Sequence, residues 1–328
     1  MHVDAAPITE AFGLGPLTEP PVAVGRPGSA RWKFTTPSGS YLVKRLWSGE
    51  DPRWRCHAAA MMDFERRVRT TTSIATARPI HPGRPEFGCA ARVGEQGVFR
   101  VYEWIDHRAP GPADDIGDWV AHTLATLHRL PRTEADLGSA WDRYGVYPEA
   151  SWRRWIAAAT DLDRSWAGPL DERMDTVLGL SERLTAAWAC ADDRVATHGD
   201  FEPYNVLIGP AGPVLIDWES VCYDSATMEA GRAALAFGGS DPRRVAAILR
   251  GYREAGGGPV DLGADRFLST AARTLGHVTE LVRVSLGELA PADWMDTARL
   301  DGEIADRVRR LPGEVEALTR LADHLGSL

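Results

Sequence analysis

The sequence predicts an α+β fold, with a small antiparallel sheet near the N-terminus and a larger, mainly helical part after it. Aromatic and β-branched residues at strand spacing dominate residues 20–105, apart from one helical segment. Apolar residues at helical spacing dominate the chain after residue 105. The change falls on a connector rich in Pro, Gly and Asp. We therefore expect a lobe of residues 1–105 and a lobe of residues 106–328.

The N-terminal part has the pattern of an antiparallel meander with one helix. Residues 31–36 and 40–46 favour strands, and the Pro-Ser-Gly between them favours a hairpin turn. Ala, Met, Phe and Val recur at helical spacing in residues 51–74, which predicts a helix directly after this hairpin. Two more strands are expected in residues 88–94 and 97–105.

The second part is predicted to be mainly α-helical. Residues 114–130 place Ile116, Trp119, Val120, Leu124, Leu127 and Leu130 on one stripe. The same periodicity predicts further helices in residues 147–162, 176–191, 229–237, 243–256, 264–286 and 301–325.

Composition and charge limit the classes of partner. The chain has 328 residues, enough for a sizeable core, and 46 acidic against 37 basic side chains. This balance, without a long run of Lys or Arg, disfavours nucleic acid as a partner. The N-terminus lacks the pattern of a signal peptide, and no stretch of about 18 apolar residues could span a membrane. We expect a cytoplasmic monomer or homodimer without a membrane partner.

The four cysteines indicate a reducing compartment. Cys56, Cys89, Cys190 and Cys222 are far apart, with no C-x-x-C pair and no His placed to complete a zinc site. The spacing predicts four free, buried thiols.

Residues 197–220 bring two aspartates and an asparagine into a short stretch. If residues 205–208 pair with 213–216 as a hairpin, Asn205 enters the first strand and Asp217 leaves the second, so their side chains lie at the same end. Asp200, on the preceding loop, would reach the same place. Turns rich in Asp and Asn are common, so an ordinary capped hairpin is the alternative.

Phosphoryl transfer needs this grouping of side chains. One carboxylate orients the attacking hydroxyl and accepts its proton, while a carboxylate and an amide oxygen hold Mg²⁺. The full pattern, H-G-D-x-x-x-x-N followed by an apolar strand ending in I-D-W-E, is far more specific than a three-residue match. The stretch therefore favours a phosphotransferase site over a simple turn.

These motifs resemble the core of the aminoglycoside phosphotransferase family, a relative of the eukaryotic-type protein kinases that includes choline, homoserine, methylthioribose and antibiotic kinases. The catalytic-loop pattern of that family is matched by His198, Gly199, Asp200 and Asn205, and its metal-binding aspartate by Asp217. The resemblance implies a bilobal protein-kinase-like fold that binds nucleotide in the N-terminal lobe and the substrate in the catalytic C-terminal lobe. It also implies transfer of a γ-phosphoryl group from ATP or GTP to a small-molecule hydroxyl. Asp200 would be the catalytic base, and Asn205 and Asp217 would hold Mg²⁺.

A kinase-like chain also requires a lysine on the third strand and a glutamate on the next helix. Lys44 lies on the predicted strand of residues 40–46, and Glu65 lies on the following helix. Lys44 would hold the nucleotide phosphates, and Glu65 would fix the position of Lys44. The strand that contains Glu103 and Ile105 matches the family's segment between the lobes. The resemblance implies that backbone groups near these two residues contact the edge of the adenine ring.

The phosphate-covering loop departs from the G-x-G-x-x-G pattern of the kinases. Here the loop has only Gly25 and Gly28, with a proline between them. Ser29 and the local backbone N–H groups are expected to contact phosphate.

The acceptor is the least determined part of the prediction. The acidic candidates for contacts with it are Glu202, Glu219, Asp224, Glu229 and Glu280. Several such carboxylates in one site would bind a polycationic aminoglycoside. Trp218 could stack on a sugar or nucleobase, although core packing is the commoner role of tryptophan. An antibiotic kinase that confers resistance, a metabolic kinase of choline, homoserine or a sugar, and a nucleotide-binding pseudokinase module all stay open.

Overall fold

The computed structural model describes residues 3–25, 29–46, 52–111, 114–133, 136–259, 264–292 and 295–326. The chain divides into two compact units. The sheet unit comprises Met1–Asp114, Thr133–Leu137 and Pro203–Val221, and the helical unit comprises Asp115–Arg132, Gly138–Glu202 and Cys222–Leu328. The predicted lobes differ from these units because residues 203–221 group with the sheet rather than with the later helices.

An antiparallel sheet forms the centre of the sheet unit. The strands are β1 (Val22–Ala23), β2 (Arg31–Thr36), β3 (Gly39–Leu46), β4 (Pro79–Ile80), β5 (Ala90–Arg92) and β6 (Val98–Glu103). Their order is β1-β2-β3-β6-β4, with β5 also paired to β6. Helix α2 (Pro52–Thr71) follows β3, as its periodicity predicts. The fold class and the four longer strands expected from the sequence are thus confirmed.

Buried and partly exposed residues alternate along β2, so one face of the sheet packs in the core. Trp32 and Phe34 are buried, and they pack with Val43 in one apolar cluster. Helix α1 (Ala5–Phe12) contributes Ile8 and Phe12 to the same cluster. The sequence predicted one helix for this region, so α1 is an addition.

The predicted hairpin of residues 205–216 is confirmed. Strands β8 (Val206–Gly209) and β9 (Gly212–Leu215) pair antiparallel, and Val206 is the register partner of Leu215. The backbone attaches this hairpin to the sheet unit, because the Leu215 N–H donates to the Ala75 carbonyl oxygen at 3.0 Å. Ile208 and Arg108 form a further backbone bridge.

The helical unit is built from helices around a two-stranded sheet of β7 (Arg194–Thr197) and β10 (Cys222–Ser225). The helices are α3 (Gly117–His128), α4 (Glu149–Asp161), α5 (Ala167–Asp171), α6 (Met174–Ala189), α7 (Ala226–Gly238), α8 (Pro242–Glu254), α9 (Ala264–Ser285) and α10 (Leu300–Gly326). Trp152, Trp155 and Trp166 are fully buried, so core packing is their role. No helix in the described ranges is both long and apolar enough to cross a membrane.

Two of the four cysteines differ from the prediction. All four are free thiols, but Cys56 and Cys190 are exposed, whereas Cys89 and Cys222 are buried. The exposed pair lies on the outer surface of α2 and at the end of α6, where helical periodicity leaves a small residue facing water.

Candidate active site

In the sheet unit, Lys44 on β3 lies against two carboxylates that follow β9. The Lys44 Nζ lies 2.8 Å from Oδ1 of Asp217 and 2.7 Å from Oε2 of Glu219. Arg31 on β2 donates from Nη2 to the other oxygen of Asp217, at 2.9 Å. The structure therefore brings together Lys44 and Asp217, which the sequence identified separately, and adds Arg31.

Strand register and backbone conformation explain this cluster. Arg31 and Lys44 are register partners across β2 and β3, so their side chains leave the same face of the sheet. Asp217 has φ 67° and ψ 65°, a left-handed conformation that Asp adopts more readily than most residues other than glycine. A residue in such a region costs on the order of 1–3 kcal/mol and commonly marks a functional site.

The oxygen atoms after β9 fit a hard divalent cation. Asn205 is buried, and its carbonyl oxygen accepts from the Ile216 N–H at 3.0 Å, which fixes the entry of β8 beside the exit of β9. Oε1 of Glu219 is buried without a hydrogen-bond partner in the described part of the chain. Carboxylate and amide oxygens are the ligands that Mg²⁺ prefers. No cluster of three or more His, Cys, Asp or Glu within the described residues has the arrangement of a metal site.

The expected ion pair of Lys44 with Glu65 differs in the structure. Within the described residues, Glu65 pairs instead with Arg100 on β6, with Oε2 and Nη2 2.6 Å apart and both side chains almost fully buried. Lys44 engages the carboxylates after β9. Burial lowers the pKa of Arg100, but the neighbouring Tyr102 and Glu65 outweigh burial and raise it well above its usual value. Glu65 is thus held by a permanent cation of the sheet.

A pocket with mainly apolar walls opens beside Lys44. Its polar wall contains Lys44, Glu65 and Asp217, all expected from the sequence. The other lining residues are Arg31, Leu42, Ala77, Tyr102, Glu103, Trp104, Ile105, His107, Leu207, Ile216 and Trp218. Trp218 is also in ring contact with Phe64 and almost fully buried, so it packs in the core and presents one edge to the pocket.

The segment after β6 offers backbone hydrogen-bonding groups at the pocket. The Glu103 N–H donates to the Arg78 carbonyl oxygen at 2.9 Å, and the Trp104 N–H donates to that of Ser40 at 3.0 Å. Glu103 and Ile105 line the pocket, and they carry a backbone carbonyl oxygen and a backbone N–H, respectively. An acceptor and a donor two residues apart match the edge of a purine.

The predicted phosphate loop is described only in part. Ser29 Oγ donates to the Val24 carbonyl oxygen at 2.8 Å, which closes a turn before β2. Gly28 lies outside the described residues. A phosphate contact of Ser29 stays a prediction.

In the helical unit, Asp200 lies beside a cation that the sequence analysis missed. Arg273 on α9 donates from Nη2 to Oδ1 of Asp200, and its Nη1 lies 3.1 Å from Oε1 of Glu202. Arg273 therefore bridges the predicted catalytic base and one of the predicted acceptor contacts. Burial raises the pKa of Glu202, and Asp200 raises it further, while Arg273 lowers it; the net direction is upward.

A buried network supports the loop that carries Asp200. The Gly199 N–H, in a residue with φ 76°, donates to Oε1 of Glu229 at 2.7 Å. The other oxygen of Glu229 lies 2.8 Å from Nε2 of His128, whose Nδ1 lies 2.8 Å from the Tyr252 hydroxyl. His128 is thus structural, and Glu229 faces the loop backbone rather than a ligand.

Asp224 is corrected as an acceptor contact. It is fully buried, its Oδ2 lies 2.6 Å from Arg232 Nη2, and its Oδ1 accepts from the Tyr144 hydroxyl at 2.8 Å. Both oxygens are satisfied inside the protein, so the side chain is not accessible to a substrate. The sequence identified Asp224 as an acceptor candidate close to the motif but gave no signal of its buried partner on α7.

Glu229 gives a prediction for acid stability. Burial raises the pKa of its carboxyl, but the hydrogen bond and charge of His128 outweigh burial and lower it. A carboxyl with a lowered pKa stabilises the fold above its unfolded pKa of about 4.3, and this contribution is lost as the pH falls through the folded value. Between about pH 5 and pH 3, we expect the urea unfolding free energy to fall more steeply for the wild type than for Glu229→Gln. Parallel pH profiles would contradict this role.

Comparison with known proteins places the chain in a family. A family model described as the phosphotransferase enzyme family, APH, matches residues 24–268. No curated protein sequence matches the chain. Three similar solved structures are an aminoglycoside phosphotransferase from Alicyclobacillus acidocaldarius, the choline kinase LicA from Streptococcus pneumoniae, and the spectinomycin phosphotransferase APH(9)-Ia with ADP and spectinomycin.

The structural similarity extends over almost the whole chain at low sequence identity. The Alicyclobacillus protein is 15% identical with a TM-score of 0.57, and the match covers 99% of this chain and 98% of the other. LicA is 13% identical with a TM-score of 0.61, covering 94% and 97%. The spectinomycin enzyme is 14% identical with a TM-score of 0.56, covering 90% and 92%. At these identities the likeness shows the fold. The family model spans more than half of the chain, so the chain belongs to the phosphotransferase enzyme family, whose members transfer phosphoryl groups to an alcohol acceptor.

Proposed function

We propose that this protein is an ATP- or GTP-dependent small-molecule kinase that phosphorylates a hydroxyl of an antibiotic, either aminoglycoside-like or containing a sugar or nucleoside. The observation that carries this proposal is the contact of Lys44 with Asp217 and Glu219 at a pocket with apolar walls. Nucleotide binding is also supported by similar structures, which hold ADP in a spectinomycin phosphotransferase and AMP-PNP with Ca²⁺ in an amicoumacin kinase.

The sheet unit would bind the nucleotide. Its base would lie between apolar side chains such as Leu42 and Leu207, with the Glu103 carbonyl oxygen and the Ile105 N–H at its edge. Lys44 would contact the phosphates as a point charge, a role common to kinases. Glu65, fixed by Arg100, has a buried Oε1 without a partner in the described ranges and lines the same pocket. It is therefore available to Lys44 when phosphate draws the lysine away from Asp217.

Mg²⁺ would be held by Asp217 and Asn205, with Glu219 as a further oxygen ligand. When bound, the ion supplies charge neutralisation of the nucleotide phosphates. Asp217, whose backbone is left-handed, and the buried Asn205 lie at the same end of the hairpin.

The helical unit would supply the catalytic base. Asp200 would accept the proton of the acceptor hydroxyl from a loop held rigid by the bond between Gly199 and Glu229. Glu202, two residues later, lies in the same cluster and would contact the acceptor.

Lys44→Ala is expected to raise the KM for Mg-ATP at least roughly tenfold, because it removes the one ammonium group placed against Asp217 and the pocket. The matched control is Arg45→Ala, since the next residue of a strand points to the other face. Steady-state kinetics with varied nucleotide and titration of ATP binding measure the effect. Equal nucleotide affinity in the two variants would show that Lys44 does not bind the nucleotide.

The proposal is tested by ADP release from the full-length protein with Mg-ATP or Mg-GTP and a panel of hydroxyl compounds. The panel contains antibiotics, aminoglycosides, nucleosides, sugars, choline and homoserine. We expect at least one acceptor to stimulate release, and EDTA to abolish the stimulation. A chain that neither binds Mg-nucleotide nor releases ADP with any acceptor contradicts the proposal.

A metabolic kinase is the second candidate, favoured by the similarity to the choline kinase LicA. The acceptor panel separates it from an antibiotic kinase, and a resistance role requires that expression raises the tolerance of a susceptible host. The structural cluster of Lys44, Asp217 and Glu219 disfavours a pseudokinase module, because a scaffold has no need of ionised groups at this pocket. A cytoplasmic location and a monomeric or homodimeric state stay predictions.

A further inference from the structure

Arg273 occupies the position where an acceptor cation would be expected. It lies on α9 and bridges Asp200 and Glu202, the two carboxylates of the loop that begins at Gly199. The side chains are partly accessible, with 35% of Arg273, 17% of Asp200 and 23% of Glu202 exposed. A small molecule can therefore reach the cluster, and it meets a guanidinium group beside each carboxylate.

The other acidic candidates also lie beside basic side chains of the helical unit. Asp224 pairs with Arg232, and Glu229 pairs with His128, both fully buried. Glu280 lies 3.7 Å from Nδ1 of His277 on the same helix. A polycation needs several carboxylates that lack internal partners, because each ammonium group loses its hydration on binding. In this unit Asp200, Glu202 and Asp224 already pair with an arginine of the chain.

We propose, on the basis of the kinase function above, that Arg273 determines the charge of the acceptor. The acceptor is a hydroxyl-rich compound without a dense positive charge, of the sugar or nucleoside class, and Arg273 excludes polyamines.

The chemistry of the cluster suits such an acceptor. A hydroxyl group both donates and accepts hydrogen bonds, so it can donate to Asp200 or Glu202 while it accepts from a guanidinium N–H of Arg273. The guanidinium group has five N–H donors, and the two carboxylates leave some of them available. An ammonium group can only donate, and it would meet the positive charge of Arg273 at contact distance.

Titration of the full-length protein with a matched pair of cyclitols tests this proposal. The probes are 2-deoxystreptamine, which carries two amines, and myo-inositol, which is neutral. Removing the charge with Arg273→Met exposes two carboxylates to the diamine, so we expect 2-deoxystreptamine to bind this variant at least roughly tenfold more tightly than the wild type. Myo-inositol should gain no affinity. Arg273→Lys keeps the charge and should keep the exclusion.

Arg283→Met is the control for loss of an arginine from the same helix. Arg283 is similarly exposed and pairs with Glu288 instead of the loop, so this variant should bind 2-deoxystreptamine like the wild type. If Arg273→Met does not fold, Arg273→Gln takes its place. A purely structural role of Arg273 would give no gain in diamine affinity, and this result overturns the proposal. Tight binding of 2-deoxystreptamine by the wild type overturns it too.

Turnover gives a second measurement. For each acceptor that the panel identifies, kcat/KM is compared with that of its amino-substituted analogue. We expect the wild type to favour the neutral compound and Arg273→Met to reduce this preference at least roughly tenfold. A wild-type preference for the amine contradicts the proposal. Failure of the kinase function would appear separately, as absent Mg-ATP binding, and would leave the cyclitol titrations interpretable.

Discussion

Asp200→Ala is expected to lower kcat at least about 10³-fold while the affinity for Mg-ATP changes little. The variant removes the carboxylate that would accept the proton of the attacking hydroxyl, and a positioned base contributes roughly 10²–10⁴-fold to such a step. A loss of 10³ corresponds to about 4 kcal/mol of barrier. Nucleotide affinity should persist, because the groups proposed to bind nucleotide lie in the sheet unit.

Single-turnover kinetics with saturating acceptor measure this loss, and titration with Mg-ATP measures the affinity. Asp200→Asn keeps the shape of the side chain and should fail as severely, because an amide does not take up the proton. Asp171→Ala is the control: this exposed carboxylate pairs with Arg153 in the same unit, and its removal should leave turnover unchanged. Near-normal turnover of Asp200→Asn would assign the base to another residue.

Local sequence patterns predicted the elements that present the site. The hairpin of β8 and β9 follows from two short apolar runs around a Gly-Pro-Ala-Gly turn, and the fold forms it with Asn205 at its entry. Lys44 and Arg31 follow from the pairing of two adjacent strands, although only Lys44 was identified. Such features depend on neighbours within a few residues, so a sequence without relatives is enough to predict them.

The ion pairs of Glu65 and Asp200 were not predictable, because each joins residues that are distant in the sequence. Arg100 lies on β6, a strand buried on both faces, where no alternation marks a charged residue as a partner of Glu65. Arg273 is one of several arginines in the later helices, and only the path of the chain brings it to Asp200. A charged residue inside an apolar strand indicates a buried ion pair, and Arg100 on β6 gave this signal, whereas Arg273 did not.

At Gly276, α9 lies against another backbone segment of the helical unit. A Cβ atom at this position would overlap the carbonyl oxygen of Arg143, far inside any permitted contact. The neighbouring Gly145, with φ +67°, is restricted in turn, because its Cβ would lie 2.6 Å from the Gly276 nitrogen. Backbone atoms form both contacts, so rotation of a side chain does not relieve the overlap.

Gly276→Ala is therefore expected to destabilise the protein by at least about 3 kcal/mol, at the upper end for overpacking in a core. Helix propensity acts in the opposite direction, since alanine is favoured over glycine by about 1 kcal/mol inside a helix.

Gly179→Ala on α6 is the control that measures helix propensity alone, because no atom from outside the helix backbone lies within 4 Å of the added Cβ. This variant should be neutral or more stable by up to about 1 kcal/mol. Thermal unfolding should show a midpoint lowered by roughly 6–12 °C for Gly276→Ala and unchanged or raised for Gly179→Ala. Similar midpoints for the two variants would mean that α9 does not approach Arg143 this closely. Because α9 also carries Arg273, partial displacement of the helix should weaken the exclusion of diamines before the protein unfolds.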